Sequence, residues 1–160
     1  MRINYARYFL ILAACFFWGM PAEVFATDYT ISGSETTQQD VSTGDTVTVT
    51  GTGDLDVSST SDGISGESAY NVTVTVQTGG QITADGRPQV GKTKGGVPIR
   101  LGDGADITVE SGATVKNEGL DPQGDGGLNA NAIITGANAT INIAGTVLAD
   151  RQANGYSNFS

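Results

Sequence analysis

Four short segments in which β-branched residues alternate with other side chains constrain this chain more than anything else in it. They are Thr46-Val-Thr-Val-Thr50, Asn71-Val-Thr-Val-Thr-Val76, Asp106-Ile-Thr-Val-Glu110 and Thr140-Ile-Asn-Ile-Ala144. Alternation with a period of two sends every second side chain to one face, which suits a half-buried strand. Each segment leads across a Gly-containing corner to a second apolar position. Val49 and Leu55, Val76 and Ile82, and Val109 and Val115 stand six apart, while Ile143 and Val147 make a shorter unit. The matching positions Val49, Val76, Val109 and Ile143 are 27, 33 and 34 residues apart. A strand–corner–strand unit recurring at that spacing predicts a stacked array. No window sustains the apolar period of a helix over three turns, so the expected class is all-β.

Irregular spacing points to a β-helix with variable loops rather than a propeller with fixed blades. Successive coils would stack their strands about 4.8 Å apart, with Val, Ile and Leu filling a narrow core. Gly and Asn suit the positive φ of tight corners. About six coils of roughly 22 residues would make a rod of about 30 Å. Residues 58–69, 85–98 and 116–131 are expected to be outward loops. A β-sandwich is the competing architecture, because short strands with turn signals describe it too.

The first 26 residues read differently. Arg2 and Arg7 precede an apolar run of thirteen residues from Tyr8 to Met20, Pro21 breaks it, and Val24-Phe-Ala26 follows. Charged start, short apolar middle and small-residue exit predict a secretory signal cut between Ala26 and Thr27. A membrane-spanning helix needs about 20 apolar residues, so an anchor is the poorer reading. Leu12-Ala-Ala-Cys15 also spells a lipoprotein acylation box, but Phe16, Phe17 and Trp18 continue the apolar run where polar residues normally follow. The expected organisation is a signal at 1–26 and one β segment at 27–160.

The full chain carries 8 basic and 17 acidic residues. Loss of Arg2, Arg7 and Glu23 would leave six against sixteen, a net charge of −10. Such a chain is not expected to bind nucleic acid or an anionic membrane surface. Cys15 would leave with the signal, so no disulfide is expected. A repetitive fold that spreads its core along an axis can do without one.

Two stretches carry the family resemblance: Asp28-Tyr-Thr-Ile-Ser-Gly33 with Thr43-Gly-Asp-Thr-Val-Thr-Val-Thr-Gly-Thr-Gly53, and the later phrases 104–115 and 138–147. The first resembles the start of many Gram-negative autotransporter passengers, and the later phrases resemble their coil repeats. The resemblance covers most of residues 27–150. It implies a right-handed parallel β-helix, exported through the inner membrane and displayed at the cell surface by a C-terminal β-barrel. No run of alternating, aromatic-flanked barrel strands follows, so the segment reads either as the front of a longer passenger or as a truncated relic, and membrane association would come only through a barrel outside it. The implied role is adhesion or cell–cell contact, with a host or bacterial surface ligand, such as a glycan, as partner.

Other motifs were weighed on their chemistry. Gly86-Arg-Pro-Gln-Val-Gly-Lys-Thr93 satisfies the phosphate-loop pattern letter for letter. That chemistry needs a helix next, so that amides and the helix dipole cradle phosphate; Lys94-Gly-Gly-Val-Pro98 cannot start one. The same stretch holds Arg87, Lys92, Lys94 and Arg100, an anion-binding spot or simply a solvated loop. Asp121-Pro-Gln-Gly-Asp-Gly126 imitates a calcium loop but puts Gln123 and Ala132 at its third and twelfth positions, leaving Asp121 and Asp125 as weak candidates. With no His, neither a Ser-His-Asp constellation nor an imidazole metal site is available. No catalytic residue, metal or cofactor is therefore expected. A polysaccharide-active enzyme using two carboxylates is the alternative from another class, although Tyr29, Tyr70, Tyr156 and Phe159 are scattered rather than gathered as a sugar platform. A periplasmic or lipid-anchored β-domain is the third reading.

Overall fold

The computed structural model describes residues 25–58, 61–85, 96–118, 120–121, 131–149 and 152–153. Among them the chain is all-β, with no α-helix, and its strands pair in parallel. The first pass of the chain holds β1 (Asp28–Ile31), β2 (Ser34–Glu35) and β3 (Gln39–Asp40). The second holds β4 (Thr46–Val49), β5 (Asp54–Val57) and β6 (Ile64–Gly66), and the third β7 (Thr73–Val76), β8 (Gln81–Ala84) and β9 (Ile99–Leu101). The fourth adds β10 (Asp106–Val109), β11 (Thr114–Asn117), β12 (Leu120–Asp121) and β13 (Ile133–Ile134). The fifth holds β14 (Thr140–Ile143), β15 (Thr146–Ala149) and β16 (Gln152–Ala153).

Three sheets result, each taking a strand from successive passes. The first runs β1-β4-β7-β10-β14, the second β2-β5-β8-β11-β15 and the third β3-β6-β9-β13, while β12 pairs with β16. The register is set by the inward residues. Ile31, Val49, Val76, Val109 and Ile143 form one column, and Leu55, Ile82, Val115 and Val147 another. A slip of one residue would send these branched side chains to solvent and Thr48, Thr75 and Thr108 inward. Val47, Val49, Leu55, Ile64, Val74, Val76, Ile82, Ile99, Ile107, Val109 and Val115 are all fully buried in one continuous core.

The corners between the third and first sheets repeat a backbone device. Gly44, Asn71, Gly104 and Asn138, each two residues before a strand of the first sheet, have φ of 83°, 55°, 70° and 57°. Only Gly, or Asn with its short polar side chain, adopts this left-handed geometry readily. Their amides continue the ladder around the corner: Gly44 donates to Tyr70 O, Asn71 to Asp103 O and Gly104 to Ala137 O, at 2.9, 3.0 and 2.8 Å.

The two ends differ. In the first pass Glu35 stands in the column of Leu55, and Gln39 in that of Ile64. In the fifth pass Ile141 and Ile143 continue the columns of Ile107 and Val109 yet are 42% and 53% exposed.

Two sequence expectations need correction. Residues 58–69 and 85–98 are not simply outward loops: Ile64–Gly66 is a strand of a third sheet, and Ala69 and Val97 are buried. The third expected loop begins later, because Lys116 and Asn117 end β11. The first sheet has five strands rather than six coils. Its register partners Asp28, Thr46, Thr73, Asp106 and Thr140 are 18, 27, 33 and 34 residues apart.

Candidate functional site

The unequal spacing of the passes has one location. Between first-sheet and second-sheet strands the chain uses two residues (32–33), four (50–53, 77–80, 110–113) or two (144–145). Between the third sheet and the next first-sheet strand it uses four to six (41–45, 67–72, 102–105, 135–139). Between the second and third sheets it uses three (36–38), six (58–63), fourteen (85–98) and fifteen (118–132, including β12). The large growth in length is thus confined to one corner, where the roots of successive loops lie one above the other. In stacked folds, insertions gathered on one side form the contact surface.

The roots of these loops are fastened to each other by polar side chains. Asn117, the last residue of β11, faces inward in the column of Val57 and Ala84 and is buried. Its Nδ2 donates to Gly96 O (3.1 Å) and to Asn131 O (2.8 Å), holding the ends of both long loops. An amide is needed here because an aliphatic side chain in the same column would leave both carbonyls without that donor. Two passes earlier, Asp62 accepts from Val97 N (2.8 Å) and Arg100 Nε (2.7 Å), while its own amide donates to Gln38 Oε1 (2.9 Å). Gly96 allows this close stacking, since a Cβ there would collide with the Ser61 carbonyl oxygen.

The sequence-predicted candidates separate on this frame. Arg100 is not a free cation for an anion: its side chain and that of Asp62 are each only 13% exposed in their ion pair. Arg87, Lys92 and Lys94, with the rest of the phosphate-loop match, lie outside the described residues, as do Gln123 and Asp125 of the calcium-loop match. Ala132, at that match's twelfth position, belongs to the buried core. Among the described residues, no group of three or more His, Cys, Asp or Glu could hold a metal ion. Ala26 and Thr27, on either side of the predicted cleavage point, are exposed and lead straight into β1, whereas Cys15 lies outside the described residues.

In the sequence the acidic residues count only as net charge, but several are structural. Asp45 accepts from Thr27 N and Ser42 N, Asp103 from Ala137 N, and Glu110 from Thr78 N. A carboxylate accepts amide hydrogens strongly and suits corners where the backbone turns away from its ladder. The aromatic residues do not assemble a sugar platform among the described residues: Tyr29 packs on the core and Tyr70 is 55% exposed at a corner. A shallow depression of 390 Å³ lies beside Glu110 and Ile143, on the edge of the fifth pass rather than among the loops. Among the described residues, no helix is long and apolar enough to cross a membrane.

Compared with protein-family models, with curated proteins and with solved structures, the chain matches none.

Proposed function

We propose that this chain is an exported binding module, the N-terminal part of an autotransporter-like passenger, whose stacked loops make contacts at a cell surface. The three parallel sheets are read as the faces of a right-handed parallel β-helix, since each of the first four passes takes one strand into each sheet before returning in register. The observation that carries the reading is the confinement of length variation to the corner between the second and third sheets. A scaffold whose core repeats while one corner varies presents contacts from a rigid support. The acidic composition and the absence of His and of a Cys after residue 15 agree with a binding module better than with a catalyst.

The fifth pass supports the idea of a longer array. Ile141 and Ile143 continue inward columns yet are exposed on a strand whose other edge is already paired, a surface that one more pass would cover.

Immunoblotting of fractionated native cells with an antibody to residues 27–160 tests the proposal. Protein in the outer-membrane or released fraction, degraded when intact cells are treated with protease, is the expected result. Confinement to the cytoplasm or periplasm would refute surface display. Replacement of residues 86–95 by a short Gly-Ser linker should then abolish attachment of expressing cells to their target while leaving the β-sheet circular dichroism intact. Undiminished attachment would refute the loop surface.

A further inference from the structure

Asp45 is the one acidic residue among those described whose side chain is fully withdrawn from water, at 1% exposure. It sits immediately before β4, at a corner position that Val72, Ala105 and Ala139 fill in later passes. Its carboxylate is held by two amides: Oδ2 accepts from Ser42 N and Oδ1 from Thr27 N, both at 2.7 Å. The backbone is pinned as well, with Asp45 N donating to Ser42 O and Thr73 N donating to Asp45 O. A buried carboxylate is costly unless a cation pairs with it. No such cation is present among the described residues, where Arg100 pairs with Asp62 and Lys116 with Glu118.

The atom that touches Asp45 Oδ1 is the nitrogen of Thr27, the residue that signal cleavage is expected to make the first of the exported chain. We propose that cleavage between Ala26 and Thr27 creates the missing cation: the Thr27 α-ammonium pairs with the buried Asp45 carboxylate, so that export processing completes the fold. The inference rests on the export reading. Hydrolysis by a signal peptidase breaks the Ala26–Thr27 C–N bond and adds the hydroxyl of water to the Ala26 carbonyl carbon. The freed Thr27 nitrogen keeps its hydrogen, takes one from that water and a further proton from solvent, and becomes an ammonium.

The surroundings are already arranged for it. Thr27 O accepts from Thr46 N at 3.0 Å, which fixes the residue at the start of the first-sheet ladder. Ala26 and Phe25, the described residues just before it, are exposed, Phe25 to 81%. An amide at this point supplies a neutral donor to Asp45, whereas an ammonium supplies the same hydrogen bond with full opposite charge. The uncleaved chain would therefore hold its buried carboxylate with neutral amides alone, and the processed chain with a cation as well.

The test uses the exported chain purified from its host. N-terminal sequencing comes first: Thr27 as the first residue is expected. A chain found exported but cut elsewhere would overturn the proposal and leave surface display standing, while a chain that is not exported would remove both. Urea unfolding of that chain is then compared with the same chain acetylated at its α-amine, a change that keeps one N–H but removes the charge. Acetylation is expected to raise the unfolding equilibrium constant about ten-fold, an effect that added salt weakens in part because Asp45 is buried but Thr27 is exposed. In Asp45→Asn the free and acetylated forms should be equally stable. Equal stability of the two forms of the unsubstituted chain would overturn the proposal, and that comparison needs no variant to fold.

Discussion

Replacing Asn117 tests the idea that the two long loops are fastened to the body through one buried amide. Asn117→Ala removes the donor to Gly96 O and to Asn131 O, bonds of 3.1 and 2.8 Å. An orphaned buried acceptor costs about 1–3 kcal/mol. Gly96 is buried and Asn131 exposed, so water can satisfy the second carbonyl more readily than the first. The expected loss is about 2–4 kcal/mol, made of one full penalty and one partial one, together with the small cavity left by the side chain. With a urea slope of about 2 kcal/mol per molar, the unfolding midpoint should fall by about 1–2 M. Asn117→Val separates this account from simple packing. The column neighbours Val57 and Ala84 are aliphatic, so a site that only needed filling would accept Val gladly. The clamp account requires Val to destabilise nearly as much as Ala. A Val variant as stable as the original chain, by urea denaturation followed with circular dichroism, would refute it.

The remaining expectations concern the core, the loop root and the open edge. Ile82→Ala should cost about 2–5 kcal/mol, whereas Val147→Ala in the same column, half-buried in the fifth pass, should cost about 1 kcal/mol or less by thermal denaturation. Asp62→Ala strands Arg100 and the Val97 amide at once and should cost about 2–4 kcal/mol. Adding Arg100→Ala to it should recover part of that loss in a double-mutant cycle, and strict additivity would argue against a coupled pair. Gly96→Ala must push the loop root away from Ser61, with an expected penalty of about 1–3 kcal/mol and faster hydrogen exchange at Val97. Ile143→Lys should change monomer stability by less than about 0.5 kcal/mol while slowing aggregation, as followed by light scattering.

The sequence made two of the three sheets legible because their strands are four residues long and alternate fully. Val49, Val76, Val109 and Ile143 share a column as their spacing implied, and so do Leu55, Ile82, Val115 and Val147. The third sheet was hidden because its strands offer too little pattern. Ile64-Ser-Gly66 and Ile99-Arg-Leu101 are three residues each, and such short runs take their register from neighbours rather than from their own alternation. Arg100 illustrates the limit for the site. In the sequence it belongs with Arg87, Lys92 and Lys94 as a basic cluster, yet it pairs with an aspartate 38 positions earlier. Asn117 carried no signal at all, since an Asn after Thr-Val-Lys reads as a turn residue rather than a buried clamp.

The confinement of long loops to one corner has a backbone cause. At the corner from first to second sheet, the amides of Thr50, Gln77, Glu110 and Ala144 donate to Ile31, Val49, Val76 and Val109 of the preceding pass, all within 2.8–2.9 Å. At the corner from third to first sheet, left-handed Gly44, Asn71 and Gly104 continue the ladder in the same way. An insertion at either corner would orphan amides and carbonyls of the passes on both sides, a cost that recurs at every neighbour. Between second and third sheets the ladder continues at the loop roots, where Asp85 N meets Val57 O, Glu118 N meets Ala84 O and Gly63 N meets Val97 O. Side chains of Asp62 and Asn117 then take over the fastening. Side-chain clamps at the roots hold the loop ends in place, so the length between them can vary without disturbing the three sheets. The corner best able to lengthen without loss of stability is therefore also the one where a binding surface can change while the core stays fixed.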